Sequence, residues 1–249
     1  MSQPKLAIVT GASSGIGLEL AKLAAKDGFD LIVAADTPFV EAGPALKELG
    51  VAVEQIEADL STEQGVKQLL DKVGDRPVDV LVANAGHGLG HGFLDQAPDE
   101  WRHVIDTNIT GLVALTRALL PRLIERKGQI INLSSVAATY PYKGGAVYAG
   151  TKAFVRQFSL DLRCDLAGTG VRVTSIEPGM AETEFTIVRT GGDKEASDKL
   201  YAGMDPMTSE DLADLFWWVA TLPPHLNINT VELMPVTQSW GGFTINREA

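Results

Sequence analysis

Short apolar runs rich in β-forming residues alternate with stretches of helical period along most of this chain, and this alternation constrains the fold most strongly. Strands are predicted at Leu6–Thr10, Leu31–Ala35, Val51–Glu57, Val78–Asn84, Gln129–Ser134, Val171–Glu177 and Thr230–Met234. Helices are predicted at Gly17–Lys26, Phe39–Leu49, Thr62–Val73, Pro98–Arg126 and Tyr148–Leu166. Nearly every strand position is apolar, as expected when helices cover both faces of a parallel sheet. We therefore predict one doubly wound α/β domain over residues 1–249, with a seven-stranded, mainly parallel sheet.

Residues 180–208 interrupt the alternation. Thr190-Gly191-Gly192-Asp193-Lys194 and Asp205-Pro206 break a weak helical period in this segment. A long irregular insertion after a strand is more often functional than not. The segment is predicted to be a substrate lid within the domain.

Composition excludes several classes of protein. A formal net charge of −11 argues against a protein that tracks nucleic-acid phosphates, and 45% hydrophobic residues suffice for a large core. The single cysteine, Cys164, cannot form an internal disulfide, which suits a reducing compartment. The chain contains no apolar stretch of the roughly 18 residues that a membrane span needs. We expect a cytoplasmic protein with no membrane or nucleic-acid partner.

The first strand leads into the glycine-rich segment Thr10-Gly11-Ala12-Ser13-Ser14-Gly15-Ile16-Gly17, and a helix follows. Glycines at such a turn let the backbone approach a pyrophosphate, which then contacts the free N–H groups of the helix N-terminus. The structural alternative is a tight strand-to-helix connection without a ligand. The segment also matches G-x-S-x-G, the nucleophile elbow of an α/β-hydrolase, with Ser13 as nucleophile. Only twelve residues precede Ser13, and no histidine ends a late strand, so the hydrolase interpretation is disfavoured.

Tyr148 and Lys152 are four residues apart in one predicted helix, so their side chains share a face. A free tyrosine has a pKa of about 10, and a nearby ammonium favours the phenolate. This pair could therefore supply a general acid or base, although Y-x-x-x-K pairs also occur by chance on surface helices. Ser135, at the end of a predicted strand thirteen residues earlier, strengthens the catalytic interpretation.

Six motifs stand in order along the chain: Gly11-x-x-x-Gly15-Ile16-Gly17, Asn84-Ala85-Gly86, Asn108, Ser134-Ser135, Tyr148-x-x-x-Lys152 and Pro178-Gly179. Their order and spacing resemble the short-chain dehydrogenase/reductase family over essentially the whole chain. The resemblance implies a Rossmann-type domain and an oxidoreductase that moves hydride between a nicotinamide coenzyme and a small secondary alcohol or its carbonyl. One departure is Ala83, where the family usually has a first asparagine before Asn84.

The resemblance also implies roles for individual residues. Tyr148 would exchange a proton with the substrate oxygen, and Ser135 would hydrogen-bond that oxygen. Lys152 would hold the nicotinamide ribose and lower the tyrosine pKa, and Asn108 would anchor a proton-relay water. The coenzyme would be bound by residues of the glycine turn, the strand ends and the catalytic helix, namely Gly11, Ser13, Ser14, Gly15, Ile16, Gly17, Asp36, Asp59, Leu60, Asn84, Ala85, Gly86, Tyr148, Lys152, Pro178, Gly179 and Thr183.

From Pro141 onward the chain looks like the subgroup of 3-hydroxy-acid dehydrogenases, which includes serine and L-allo-threonine dehydrogenases and malonic semialdehyde reductases. The resemblance implies a short 3-hydroxy acid as substrate, a homotetramer, and NADP as the usual coenzyme. A neutral ketone or aldehyde reductase of the same family and a redox-inactive dinucleotide sensor are the alternatives. Arg189, on the predicted lid, is our candidate for binding the substrate carboxylate, and an ion-paired lid residue is the alternative role.

Asp36 ends the second strand, where a carboxylate would hydrogen-bond the adenosine ribose hydroxyls. Two anions about 4 Å apart repel by roughly 1 kcal/mol in water and about 4 kcal/mol at an effective dielectric near 20, so Asp36 should disfavour a 2′-phosphate. Ser14 also stands where many NADP-binding members carry Arg or Lys. These residues predict a preference for NAD(H), with NADP(H) as the alternative. His87 and His91 are interpreted as substrate-loop residues, and no metal site is predicted.

Overall fold

The computed structural model describes residues 4–189 and 192–240. Seven parallel strands form one sheet in the order β3-β2-β1-β4-β5-β6-β7. In chain order the strands β1 to β7 are Leu6–Thr10, Asp30–Ala35, Val53–Glu57, Val80–Ala83, Gln129–Leu133, Arg172–Pro178 and Thr230–Leu233. The predicted doubly wound fold is confirmed, and the strand order reverses between β1 and β4.

Helices cover both faces of this sheet. In chain order the helices α1 to α9 are Gly15–Lys26, Ala42–Lys47, Glu63–Val73, Pro98–Ile105, Leu112–Arg126, Ala146–Asp165, Glu184–Arg189, Lys194–Tyr201 and Ser209–Ala220. One buried cluster joins the sheet to α1 and α9, and a second joins it to α3, α5 and α6. Burial of both faces explains why the central strand β1 is entirely apolar except for Thr10 at its end. None of the helices in the described part is long and apolar enough to cross a membrane.

The helix predicted at Pro98–Arg126 is interrupted. A π-helical segment at Asp106–Gly111 separates α4 from α5 and turns Thr107, Asn108 and Gly111 into the interior. A Cβ at Gly111 would lie 2.0 Å from the Leu60 carbonyl oxygen, so only glycine allows this close approach. The flanking residues have ordinary helical spacing, which is why periodicity predicted one continuous helix.

The segment predicted as a lid contains the two short helices α7 and α8. Its ends are joined, because Met207 N donates to Met180 O at 3.1 Å and Glu182 N donates to Met207 O at 2.9 Å. Within it, the Tyr201 hydroxyl bonds the Thr186 hydroxyl and also donates to Ala181 O at 2.7 Å. The insertion is therefore a closed loop whose base is fixed to the sheet and to the start of α9.

Candidate active site

The carboxyl ends of the strands open into a groove of about 940 Å³ at the point where the strand order reverses. In doubly wound sheets this reversal is the usual ligand site. The groove is lined at one end by the glycine turn and Asp36, and at the other by Ser135, Tyr148 and the insertion. All the predicted catalytic and coenzyme residues line this groove except Gly17 and Asn108, which lie directly behind it.

The glycine turn is folded in a way that side chains would prevent. Gly11 and Gly15 have positive φ angles of 68° and 53°. A Cβ at Gly17 would lie 2.2 Å from the Gly11 carbonyl oxygen. Ser14 occupies the N-cap of α1 without capping it through its side chain. The first-turn N–H groups therefore remain available to an anion, and this cradle fits the pyrophosphate of a dinucleotide.

Asn84 fixes the glycine turn to the neighbouring strand. Its Nδ2 donates to the carbonyl oxygens of Thr10 and Gly11 at 2.9 and 3.1 Å. In return, Thr10 Oγ1 accepts from the backbone N–H groups of Asn84 and Ala85 at 3.1 and 3.0 Å. Asn84 thus holds the turn rigidly, while Ala85 and Gly86 form the adjoining wall.

The catalytic set comes from β5 and α6. Ser135 follows β5, where its Oγ accepts from Ala137 N at 3.1 Å and donates to Pro178 O at 3.4 Å. Ser134 Oγ donates to the Lys152 carbonyl oxygen at 2.8 Å, which anchors α6 to the end of β5. Tyr148 and Lys152 are both buried, and the Lys152 Nζ lies 5.7 Å from the centre of the Tyr148 ring.

Burial lowers the pKa of Lys152 from 10.5 to about 8. The ammonium donates to the Leu133 carbonyl oxygen at 2.8 Å. A Cβ at Gly86 would lie 3.4 Å from Nζ and 3.2 Å from Asn108 Oδ1, so a larger residue there would crowd both groups. Lys152 is therefore a desolvated cation that faces the groove beside the tyrosine ring.

Asn108 lies on the π-helical segment with its side chain directed at the loop after β4. Its Oδ1 accepts from His87 N, and its Nδ2 donates to His87 O and to Thr151 Oγ1, each at 2.9 Å. These contacts hold the glycine-rich loop 85–92 against α6. The predicted water-anchoring role of Asn108 is a separate property that remains a prediction.

The other predicted coenzyme residues line the two walls of the groove. Asp59 Oδ1 accepts from Ser61 N at 2.9 Å, and Leu60 lies beside it. Across the groove, Gly179 follows β6, and a Cβ there would lie 2.3 Å from Gln238 Oε1. That oxygen accepts from Met180 N at 2.6 Å, so Gln238 fixes the backbone at the start of the insertion. Nothing local in the sequence indicates this contact of Gln238, because its partner is 58 residues away.

The side chain of Asp36 contacts residues that the sequence did not connect with it. Asp36 Oδ2 lies 2.9 Å from His87 Nε2, and the ring centre of His87 lies 4.4 Å from that of His103 on α4. His87 therefore reaches the Asp36 end of the groove and not the Tyr148 end. We call these the ribose end and the substrate end, after the predicted roles of Asp36 and Tyr148. At the substrate end, the Phe185 ring lies 5.7 Å from the Tyr148 ring. Arg189 ends α7, but its side chain lies outside the described residues.

Comparisons with known proteins agree with this geometry. The family model for short chain dehydrogenases matches residues 5–192. The chain is 54% identical over 246 residues to a serine 3-dehydrogenase of Rhizobium radiobacter, and the aligned region covers 97% of this chain and 98% of that protein. It is 46% identical over 248 residues to an NADP-dependent 3-hydroxy acid dehydrogenase of Salmonella typhi, covering 97% and 99%. A closed form of serine dehydrogenase complexed with NADP⁺ matches with a TM-score of 0.89 and 43% identity, covering 98% of this chain and 100% of that one.

These relatives contradict the predicted preference for NAD(H). One is NADP-dependent by name, and the similar solved structure contains NADP⁺. The prediction treated Asp36 as a free carboxylate that repels a 2′-phosphate, whereas in the structure Asp36 is bound to the His87 imidazole. The expectation of NAD was therefore wrong. The family prediction, by contrast, is confirmed: from its glycine cradle, its buried Tyr148 and Lys152 and its match over residues 5–192, the chain belongs to the short-chain dehydrogenase family.

Proposed function

We propose that this protein is an NADP(H)-dependent dehydrogenase of short 3-hydroxy acids, acting reversibly between the secondary alcohol and its carbonyl. The observation that carries the proposal is one groove with a glycine cradle at one end and Ser135, Tyr148 and Lys152 at the other. The names of the relatives support the substrate class and the coenzyme.

Tyr148 is the proposed general base for alcohol oxidation and the general acid for carbonyl reduction. Tyr148 is buried, and its ring centre lies 5.7 Å from the Phe185 ring centre and 5.7 Å from the Lys152 Nζ, so a nearby positive charge acts on the phenol with little screening by water. Ser135 is held by Ala137 N and Pro178 O, and we propose that its hydroxyl orients the substrate oxygen toward the tyrosine.

When bound, the coenzyme supplies the hydride acceptor or donor at its nicotinamide ring. In oxidation the alcohol loses its O–H proton to Tyr148 and a hydride from carbon, which leaves a carbonyl, and reduction reverses both transfers. Lys152 and the Gly179–Thr183 segment line the same end of the groove and would hold the nicotinamide ribose and amide. The adenosine half would lie between Asp36 and the Asp59-Leu60 wall.

A 3-hydroxy acid carries a carboxylate that needs a cation. Among the described residues that line the groove, Lys152 is the single Lys or Arg, and its Nζ already donates to Leu133 O beside Tyr148. We propose that Arg189, at the end of α7 and four residues after Phe185, binds the substrate carboxylate.

We also propose that the protein works as a cytoplasmic homotetramer. Phe154 and Phe158 stack on α6 with ring centres 5.8 Å apart, and Phe154 is 37% exposed. Trp218 on α9 is 54% exposed beside the buried Trp217. Such apolar side chains on two different helices suit two kinds of subunit contact. Light scattering on the protein as it elutes from a size-exclusion column measures the subunit number, and we expect four.

The proposed function is tested by following absorbance at 340 nm with NADP⁺ or NADPH and matched substrates. The panel contains L-serine, L-allo-threonine, 3-hydroxypropionate and malonic semialdehyde, with neutral ketones of similar size as controls. We expect turnover with the acids and poorer turnover with the neutral ketones. Preference for neutral ketones would overturn the substrate class, and coenzyme binding without any turnover would indicate a dinucleotide sensor.

A further inference from the structure

The ribose end of the groove contains a carboxylate and two imidazoles in contact. Asp36 stands just after β2, His87 in the loop after β4 and His103 on α4. One carboxylate oxygen and one nitrogen from each ring all lie within 4.8 Å of one another. Both Asp36 and His87 line the groove, and their side chains are 37% and 24% exposed. The three residues therefore form a partly solvated cluster, and two of them face the groove.

This end of the groove has no permanent cation among its described lining residues. The hydroxyls of Ser13 and Thr37 lie there and bond each other at 2.8 Å, which provides hydrogen-bond donors without charge. A 2′-phosphate beside an unpaired Asp36 would meet a like charge in a site that is only partly open to solvent. An imidazole that pairs with Asp36 can remove that repulsion, and only when it carries a proton does it add a full positive charge.

We propose that His87, supported by His103, neutralises Asp36 and so admits the 2′-phosphate of NADP(H), which makes coenzyme preference depend on the charge of an imidazole-carboxylate cluster. This inference rests on the proposed NADP(H)-dependent function and identifies the residues that set it. In other phosphate sites arginine or lysine binds the phosphate directly, whereas here a histidine pair would offset the charge of a neighbouring carboxylate.

The charge of the cluster follows from its members. With both imidazoles neutral the cluster carries one negative charge, and with both protonated it carries one positive charge. The hydrogen bond from His87 lowers the pKa of Asp36, so the carboxylate stays ionised near neutral pH. Within the described part of the chain, the titratable groups in contact with the His87 ring are Asp36 from the end of β2 and His103 from α4, and the neutral Asn108 holds its backbone. Preference for NADP(H) over NAD(H) should therefore rise as pH falls.

The test measures the dissociation constants of NADPH and NADH by calorimetry, with EDTA present so that metal ions cannot occupy the cluster. The quantity compared is the ratio of the NADH constant to the NADPH constant, from about pH 8 to about pH 6, the range in which imidazole titrates. We expect this ratio to rise about tenfold or more in the wild type, and His87→Gln to remove most of the rise. The change in the ratio that remains in His87→Gln comes from His103 and from the 2′-phosphate. His225→Gln, an exposed histidine outside this groove, is the matched control and should behave as wild type.

Asp36→Asn distinguishes two ways in which His87 could act, by pairing with Asp36 or by direct contact with the phosphate. In that variant the ratio at pH 8 should rise about tenfold, because the carboxylate that repels phosphate is gone. Adding His87→Gln to Asp36→Asn should then lower the ratio much less than His87→Gln lowers it in the wild type, since the carboxylate partner of His87 is absent. An equal loss in both backgrounds, or an unchanged ratio in a folded His87→Gln protein, would overturn the proposal.

The same data distinguish this inference from the proposed function. If the wild type binds neither coenzyme, the proposed function fails. If it prefers NADPH and His87→Gln leaves that preference unchanged, the proposed function stands and the inference alone fails. If it turns over NADH better than NADPH at every pH, the proposed coenzyme fails together with the inference. Thermal unfolding of each variant with and without NADPH shows whether a loss comes from misfolding.

Discussion

The two ends of the groove differ in how their residues are brought together. At the catalytic end, Tyr148 and Lys152 are one helical turn apart on α6, are buried, and are anchored through Ser134 to β5. At the ribose end, Asp36 and His87 are 51 residues apart on separate loops and are partly exposed. Local helical geometry therefore places the two proposed proton-transfer residues, whereas a contact between distant loops sets the charge that we propose the coenzyme meets.

This difference explains which contacts between site residues are visible in the sequence. The i, i+4 relation of Tyr148 and Lys152 is visible in the sequence, because a helix requires it. The pairing of Asp36 with His87 is not visible, since only the sheet order brings the ends of β2 and β4 near each other. Without that contact, Asp36 had to be treated as an isolated carboxylate, and the NAD preference inferred from it was wrong.

The largest expected effect is at the catalytic end. Tyr148→Phe removes the proposed acid-base hydroxyl and keeps the buried ring. We expect kcat to fall by roughly 10²–10⁴-fold, while the dissociation constant of NADPH stays close to the wild-type value. Steady-state kinetics and calorimetry measure the two quantities separately. Near-normal kcat would remove Tyr148 from the mechanism.

Lys152→Met tests whether the Lys152 ammonium, at the catalytic end, also contributes to coenzyme binding. The ammonium has a pKa of about 8, so NADPH affinity in the wild type should weaken as pH rises above about 8 and the charge is lost. The variant should bind NADPH roughly 10- to 100-fold more weakly at neutral pH, the cost of a charged hydrogen bond, and should lack this pH dependence.

The lowered pKa of Lys152 has a second consequence, for stability. Between about pH 8 and about pH 10.5 the unfolded chain binds more protons than the folded one, so stability from this group rises with pH in that window. The rise should disappear in Lys152→Met and persist in Tyr148→Phe. Identical pH profiles of unfolding for wild type and Lys152→Met would contradict the burial argument.

Arg189→Ala sharpens the substrate half of the comparison. For a 3-hydroxy acid we expect kcat/KM to fall by a factor equivalent to about 1.5–3 kcal/mol of transition-state stabilisation. For its methyl ester we expect kcat/KM to change little. The ester is the internal control, because it keeps the reacting alcohol and lacks the carboxylate charge. Equal losses for acid and ester would mean that Arg189 organises the insertion without binding the substrate.

Tyr201→Phe should have the smallest effect. It removes the hydroxyl that bonds Ala181 O and Thr186 within the insertion. Loss of hydrogen bonds worth about 1 kcal/mol each should raise KM for the substrate several-fold and leave the dissociation constant of NADPH unchanged. A matching loss of NADPH affinity would show that the insertion also controls the coenzyme end.

The fold was predictable to within a few residues at most strand ends, because buried parallel strands appear in the sequence as continuous apolar runs. Three features were not. The π-helical segment at Asp106–Gly111 depends on the close approach of Gly111 to Leu60, and the contact of Gln238 with Met180 depends on the return of the chain past β6. The pairing of Asp36 with His87 is the third. Each is a tertiary contact between segments that have no common local pattern.

The residues that follow β7 form one wall of the substrate end of the groove. Trp240 stacks on Tyr140 with ring centres 5.1 Å apart, and Gln238 binds the backbone of Met180. Met234, Gln238 and Trp240 all line the groove, yet none belongs to the proton-transfer set. Directed evolution of substrate range can therefore begin in residues 234–240, where a library reshapes the binding wall and leaves β5 and α6 untouched.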